Sequence, residues 1–148
     1  MRGLVIRLGV IGAIAAGVFV LRPYLSGNAG SLAVGDCFDE PDAAAETVKD
    51  VQHRPCTDLH DAEVFYVGNY EPSTGTYPTD SQFFDFIVDR CSGAFATYTG
   101  QDLSSTHDLD FRPFWPTSEG WGKGERKITC YAVKFDGTKL AASIKKVG

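Results

Sequence analysis

The stretch Thr79–Gly100, TDSQFFDFIVDRCSGAFATYTG, sets the architecture of this chain. Thr79 is a helix-capping residue, and Gln82 three positions on completes a capping box, so a helix is predicted over about Asp80–Tyr98. Phe83, Phe84, Ile87, Val88, Cys91, Ala94, Phe95 and Tyr98 recur at steps of three and four and form one apolar face. Gly100 follows as a left-handed stop. Cys91 lies on the apolar face, so its sulfur points at whatever the helix covers.

The segments around the helix read as strands. Arg126–Phe135 (RKITCYAVKF) is the strongest, with Ile128, Cys130 and Ala132 on one face. Asp136-Gly137 is a hairpin signal, which predicts a returning strand over Leu140–Val147. Leu109–Trp115 reads as a strand closed by Pro116, and Thr117–Gly124 (TSEGWGKG) as a Gly-rich loop around Trp121. Upstream, Ala62–Tyr70 and Val48–Pro55 are predicted strands and Val34–Phe38 a short strand or turn. Asp39–Glu46 and Glu71–Pro78 are loops. The expected fold is α+β: an antiparallel sheet covered by one main helix, with two disulfides, preceded by one N-terminal transmembrane helix.

The transmembrane expectation rests on Leu8–Leu21 (LGVIGAIAAGVFVL), apolar all round and interrupted by three glycines that would weaken a soluble helix. Counted from Leu4, the stretch approaches the ~20 apolar residues a bilayer core needs. It reads as an anchor or a signal peptide. Arg2 and Arg7 before it and Arg22 after it favour the anchor, with residues 1–7 in the cytoplasm. Residues 22–33 (RPYLSGNAGSLA) then read as a tether and 34–147 as the exported domain. The expected localisation is the cell membrane, single-pass, with the C-terminal domain outside.

Charge and cysteines agree with that address. Residues 1–30 hold three arginines and no acid, so the other 11 basic residues face all 19 acidic ones and residues 31–148 carry a formal −8. Such a domain is repelled by nucleic acid, which is not expected as a partner. The four cysteines, Cys37, Cys56, Cys91 and Cys130, read as a disulfide framework of an oxidising compartment. Four cysteines allow three pairings. A helix lying on the sheet favours Cys91 with Cys130, which leaves Cys37 with Cys56.

Candidate chemistry concentrates in HRPCTDLHDAE (53–63). His53, Cys56 and His60, with Cys37, could ligate zinc, but the spacing is not one of the paired-ligand signatures and no metal is expected. His60 could act as a general base oriented by Asp61 or Glu63. It would lack a nucleophile, because Cys56 is expected in a disulfide and no serine sits in a Gly-x-Ser-x-Gly elbow. The favoured reading has His60 hydrogen-bonding at a strand start. Asp102, His107, Asp108 and Asp110 lack calcium-loop spacing and read as a solvated loop. Gly120, Gly122 and Gly124 have no strand–helix frame for a phosphate. No catalytic residue and no cofactor are expected. Phe111, Phe114, Trp115 and Trp121 are the candidates for partner binding, Trp121 having the competing role of capping the sheet from within.

The run Val34-Gly35-Asp36-Cys37-Phe38, then Val51, Cys56 and His60-Asp61-Ala62-Glu63-Val64-Phe65, then Cys91 on a helix and Trp121-Gly122-Lys123-Gly124-Glu125-Arg126 before Cys130, resembles the septum-formation domain family of actinobacterial membrane-anchored proteins. The resemblance covers roughly 32–146. One departure is Leu59, where the family carries proline before the histidine. The resemblance implies an extracytoplasmic α+β domain with paired cysteines and a role in septum or envelope biology, without an established catalytic residue. The combined expectation is a membrane-anchored, non-enzymatic binding or scaffold protein of the cell envelope, linked to septum formation or cell division. Its expected partners are the membrane through its N-terminal helix, and envelope or division proteins or cell-wall polymer. The alternative is an envelope hydrolase or metal-dependent enzyme built on His60, Asp61 and Glu63.

Overall fold

The computed structural model describes residues 26–41, 50–71 and 75–148. The expected anchor and the N-terminal residues 1–7 lie outside the described residues. Within them no helix is long and apolar enough to cross a membrane.

The elements in chain order are β1 (Ser26–Asn28), a 3-10 turn (Ala29–Ser31), β2 (Cys37–Asp39), β3 (Asp50–Arg54), β4 (Ala62–Asn69), α1 (Asp80–Thr99), β5 (Leu109–Phe114), α2 (Ser118–Gly122) and β6 (Lys127–Lys134). The strands form one six-stranded sheet in the order β1-β3-β2-β4-β6-β5, antiparallel throughout. Strand β6 is buried on both faces. Ile128, Cys130 and Ala132 meet the helix, while Tyr131 and Val133 join Phe38, Val51, Ala62 and Val64 in a second apolar cluster. In β4 the register shifts between Val64 and Tyr66. The extra residue puts both Phe65 and Tyr66 on the helix side, with Val64 and Val67 in the second cluster.

Helix α1 has the expected caps. Thr79 accepts from the Gln82 amide, the Gln82 side chain accepts from the Thr79 amide, and Gly100 adopts φ 77°. Phe83, Ile87, Cys91, Phe95 and Tyr98 are buried against the sheet. The predicted apolar face is narrower than expected: Phe84 and Val88 are 66% and 41% exposed. A helix buries a stripe little more than ~100° wide against a sheet, and the row through Phe83, Ile87, Cys91 and Phe95 already fills it. Both expected disulfides are present, Cys37–Cys56 and Cys91–Cys130. The second joins α1 to β6 at the centre of the core, with both residues fully buried.

Three expectations are corrected. The tether 22–33 contributes to the sheet, because Ser26–Asn28 pairs with β3 and Leu32 is buried. Asn28 caps the 3-10 turn by accepting from the Gly30 amide. The loop Thr117–Gly124 contains the short helix α2, capped by the Thr117 hydroxyl accepting from the Gly120 amide. The hairpin turn at Asp136-Gly137 forms, with Gly137 at φ 74° and Thr138 donating to Asp136, but no strand returns from it. Strand β6 is flanked by β4 on one edge and β5 on the other, so a returning strand has no edge to pair with. Only Leu140 makes a bridge, and it makes it with His60.

Replacing Cys91 and Cys130 together by alanine removes a cross-link spanning 39 residues. The unfolding free energy is expected to fall by roughly 4 kcal/mol on chain-entropy grounds. Denaturant titration of the variant against the parent checks this.

Candidate functional site

From the segment 53–63, Glu63 faces the helix side of the sheet and meets Tyr98 at the C-terminal end of α1, while Ala62 faces the opposite cluster. Cys37 in β2 lies directly opposite Arg54 on β3 and Glu63 on β4. His60 precedes β4, and its backbone exchanges two hydrogen bonds with Leu140, at 3.1 and 2.8 Å. The Cys37 sulfur, a ring nitrogen of His60 and a carboxylate oxygen of Glu63 all lie within 4.8 Å of one another. His60 and Glu63 are fully buried.

The two polar side chains are held differently. Glu63 Oε1 accepts from the Tyr98 hydroxyl at 2.6 Å and the Ser143 hydroxyl at 2.7 Å, while Oε2 accepts from the Ile144 amide at 2.8 Å. One carboxylate thus ties β4 to the last turn of α1 and to the C-terminal segment. Burial pushes the Tyr98 phenol well above its ordinary pKa, and donation to the Glu63 carboxylate adds to the shift, so Tyr98 is a fixed donor. His60 Nδ1 lies 2.7 Å from the carbonyl oxygen of Asp58. A carbonyl only accepts, so the neutral ring carries its hydrogen on Nδ1 and leaves a lone pair on Nε2. That Nε2 is buried and has no hydrogen-bond partner.

Asp61 belongs to a different environment. Its carboxylate accepts from the Glu40 amide and pairs with Lys139 at 2.8 Å. Lys139 also pairs with Asp39, which is bound by Arg54 at 2.6 Å. Burial opposes ionisation of Asp39, but the hydrogen bonds from Lys139 and Arg54 outweigh it and hold the carboxyl below its usual range. Glu40 pairs with Arg112 and accepts from the Tyr131 hydroxyl, bridging β2 to the far side of the sheet.

His60 and Glu63 are therefore brought together, and Asp61 is turned away into an ion cluster. The buried group at the bridge is Cys37, His60 and Glu63, and the four residues weighed as zinc ligands do not form it as a set. His53 is buried in β3, and Cys37 and Cys56 are joined to each other and offer no thiolate. Asp102, His107, Asp108 and Asp110 are all exposed, the first three in the loop before β5 and Asp110 on β5 itself.

The aromatic candidates separate as well. Trp121 is buried among Tyr70, Tyr77 and Phe83, its indole NH donates to the Gly75 carbonyl, and the Arg126 guanidinium sits 3.5 Å from the ring centroid. Phe111 and Phe114 are half-buried, Phe111 against Phe65 and Phe114 against Phe38 and Tyr131. Trp115 is 47% exposed and stacks on Phe83. Beside α1 an open cleft is lined by Tyr66, Asn69, Tyr70, Glu71, Phe86 and Arg90.

Sequence reasoning missed Tyr98, Ser143, Asp39 and Lys139. Tyr98 was visible only as an apolar helix position, and its hydroxyl at the helix end was the available signal. Nothing local marks Ser143, whose role comes from a contact 80 residues away.

The septum-formation family model matches residues 26–139. The chain belongs to the septum-formation family. No curated protein and no solved structure matches it. Family membership covers the whole sheet, helix α1 and the segment carrying His60 and Glu63, and it starts at β1, which agrees with β1 being part of the domain.

Two outcomes are expected here. Glu63→Gln places an amide against the Ile144 NH in one orientation, or against two hydroxyl donors in the other, and should destabilise the fold by about 1–3 kcal/mol. Denaturant unfolding measures this, with faster hydrogen exchange at Ile144. Asp39 has a depressed folded pKa, so its contribution is present at neutral pH and lost as pH falls below about 4. Asp39→Asn should therefore lower stability at pH 7 and leave it little changed in acid, shown by unfolding curves at the two pH values.

Proposed function

We propose that this septum-formation family member is a membrane-tethered, extracytoplasmic binding or scaffold domain that acts without catalysis in cell division. The observation that carries the reading is the engagement of its candidate catalytic side chains in holding the fold. Glu63 spends three acceptor contacts on α1 and the C-terminal segment, Asp61 is paired with Lys139, and His60 is fully buried beneath Leu140. A general base has to reach the proton it removes within hydrogen-bond distance, and His60 and Glu63 face the interior while Asp61 is held in an ion cluster at the rim.

The tether is supported by the apolar run Leu8–Leu21 with its flanking arginines. The outside address is supported by two disulfides with no free cysteine among the described residues. For the partner, Trp115 with Phe84 and Val88 supplies exposed apolar area on a surface that is otherwise acidic. A division or envelope protein, or cell-wall polymer, is the class of partner such rigid aromatic area suits.

Full-length protein carrying Trp115→Ala is expected to keep both disulfides and wild-type far-UV dichroism, and to lose its accumulation at the division site in cells. Wild-type accumulation of a folded Trp115→Ala protein would overturn Trp115 as the docking residue.

A further inference from the structure

The two disulfides differ in what their sulfurs would meet if they were opened. Cys91 and Cys130 are fully buried in an apolar cluster with Phe65, Ile87 and Phe95. Cys37 is also buried, but Cys56 sits in the turn after Pro55 and is half-buried. The Cys56 sulfur lies 3.4 Å from the carbonyl oxygen of Gly35. In the cluster that Cys37 shares with His60 and Glu63, His60 Nε2 is buried and has no hydrogen-bond partner. The Cys37 sulfur belongs to the same 4.8 Å cluster as the His60 ring.

We propose that Cys37–Cys56 is a thiol–disulfide exchange site, opened at Cys56 by a dithiol reductant. Its reduced form is held by hydrogen bonds from Cys37 to His60 Nε2 and from Cys56 to the Gly35 carbonyl. In the oxidised form neither sulfur carries a hydrogen, and the His60 lone pair is unsatisfied, which favours any state that supplies a donor. Reduction supplies one at each sulfur, with the Gly35 carbonyl 3.4 Å from Cys56 and a ring nitrogen of His60 within 4.8 Å of Cys37. The Cys91–Cys130 pair sits in an apolar cluster, so opening it would leave two buried thiols among hydrocarbon.

The chemistry balances in two steps. A thiolate of the reductant attacks Cys56 Sγ, the more accessible sulfur, and a mixed disulfide forms as the Cys37–Cys56 bond breaks. The electron pair leaves on Cys37 Sγ, which takes a proton and donates it in a hydrogen bond to His60 Nε2. The second thiol of the reductant, deprotonated, attacks its own sulfur in the mixed disulfide and releases Cys56 as a thiolate, which is then protonated and donates to Gly35. The reductant ends as a disulfide, and two electrons and two protons have passed to Cys37 and Cys56.

The test uses the full chain in detergent, equilibrated with graded ratios of reduced to oxidised dithiothreitol. Thiols are then alkylated and the peptides mapped by mass spectrometry. Cys37–Cys56 is expected to open at a ratio at least about tenfold less reducing than Cys91–Cys130, a gap of ~30 mV or more. His60→Leu should shift the Cys37–Cys56 equilibrium about tenfold toward the disulfide, and His60→Gln, which keeps an acceptor, should recover part of the shift. Simultaneous opening of both bridges, earlier opening of Cys91–Cys130, or no change in a folded His60→Leu protein would overturn the proposal. Should His60→Leu fail to fold, brief exposure of the wild-type protein to glutathione decides. An adduct on Cys56 supports the mechanism and an adduct on Cys37 overturns it.

Discussion

The buried carboxylate of Glu63 is the contact on which the separate parts of this domain converge. It sits on β4 near the middle of the sheet, and its two oxygens take hydrogen bonds from the end of α1 and from two successive residues of the C-terminal segment. A carboxylate excluded from water is tolerable only when such donors replace its hydration. The donors come from two separate parts of the chain, the end of α1 and the C-terminal segment, so satisfying the charge forces both onto β4. Tyr98 fixes the helix end against the sheet. Ser143 and Ile144 fix a segment that has no strand partner, and Lys146 adds a bond from its amide to the Tyr98 carbonyl.

Around that contact the sheet is held by apolar burial on both faces. The helix side has the larger cluster, centred on Phe83, Phe95, Trp121 and the Cys91–Cys130 bridge. The opposite side is smaller and is closed in part by Ala29 and Leu32 from the turn after β1. Lys127 fastens this turn by donating to the carbonyls of Gly30 and Leu32, and burial there lowers its pKa. The ion cluster of Asp39, Arg54, Asp61 and Lys139 lies at the rim, where such pairs add little to stability but fix β2, β3 and the segment after β6 in register.

Where local pattern carried information, the reading of the chain and its structure agree. The capping box at Thr79, the stop at Gly100, the alternation of β6 and the turn at Asp136-Gly137 all depend on residues a few positions apart. The disulfide pairing followed from placing Cys91 and Cys130 on two elements that had to pack. Two of the disagreements share one cause. The returning strand after Asp136-Gly137 failed because β5 occupies the edge of β6 it would have used, and Phe84 and Val88 turn outward because the sheet accepts only one row of the helix. Strand order and the width of a contact are not written in any window of sequence.

The same division holds for the candidate site. Residue spacing and composition established a paired-cysteine framework, a helix-on-sheet fold, and His60, Asp61 and Glu63 as the polar group most worth following, because these depend on composition and short-range periodicity. Whether those three side chains act together was settled by strand pairing. The register of β2 against β4 sets Glu63 opposite Cys37, and the bridge to Leu140 buries His60 beside them. Asp61, one residue on, falls among the charges of Lys139 and Asp39. Adjacent side chains on an extended chain point to opposite sides, so the direction each takes is decided by the strands that pair with it and the segments that close over it.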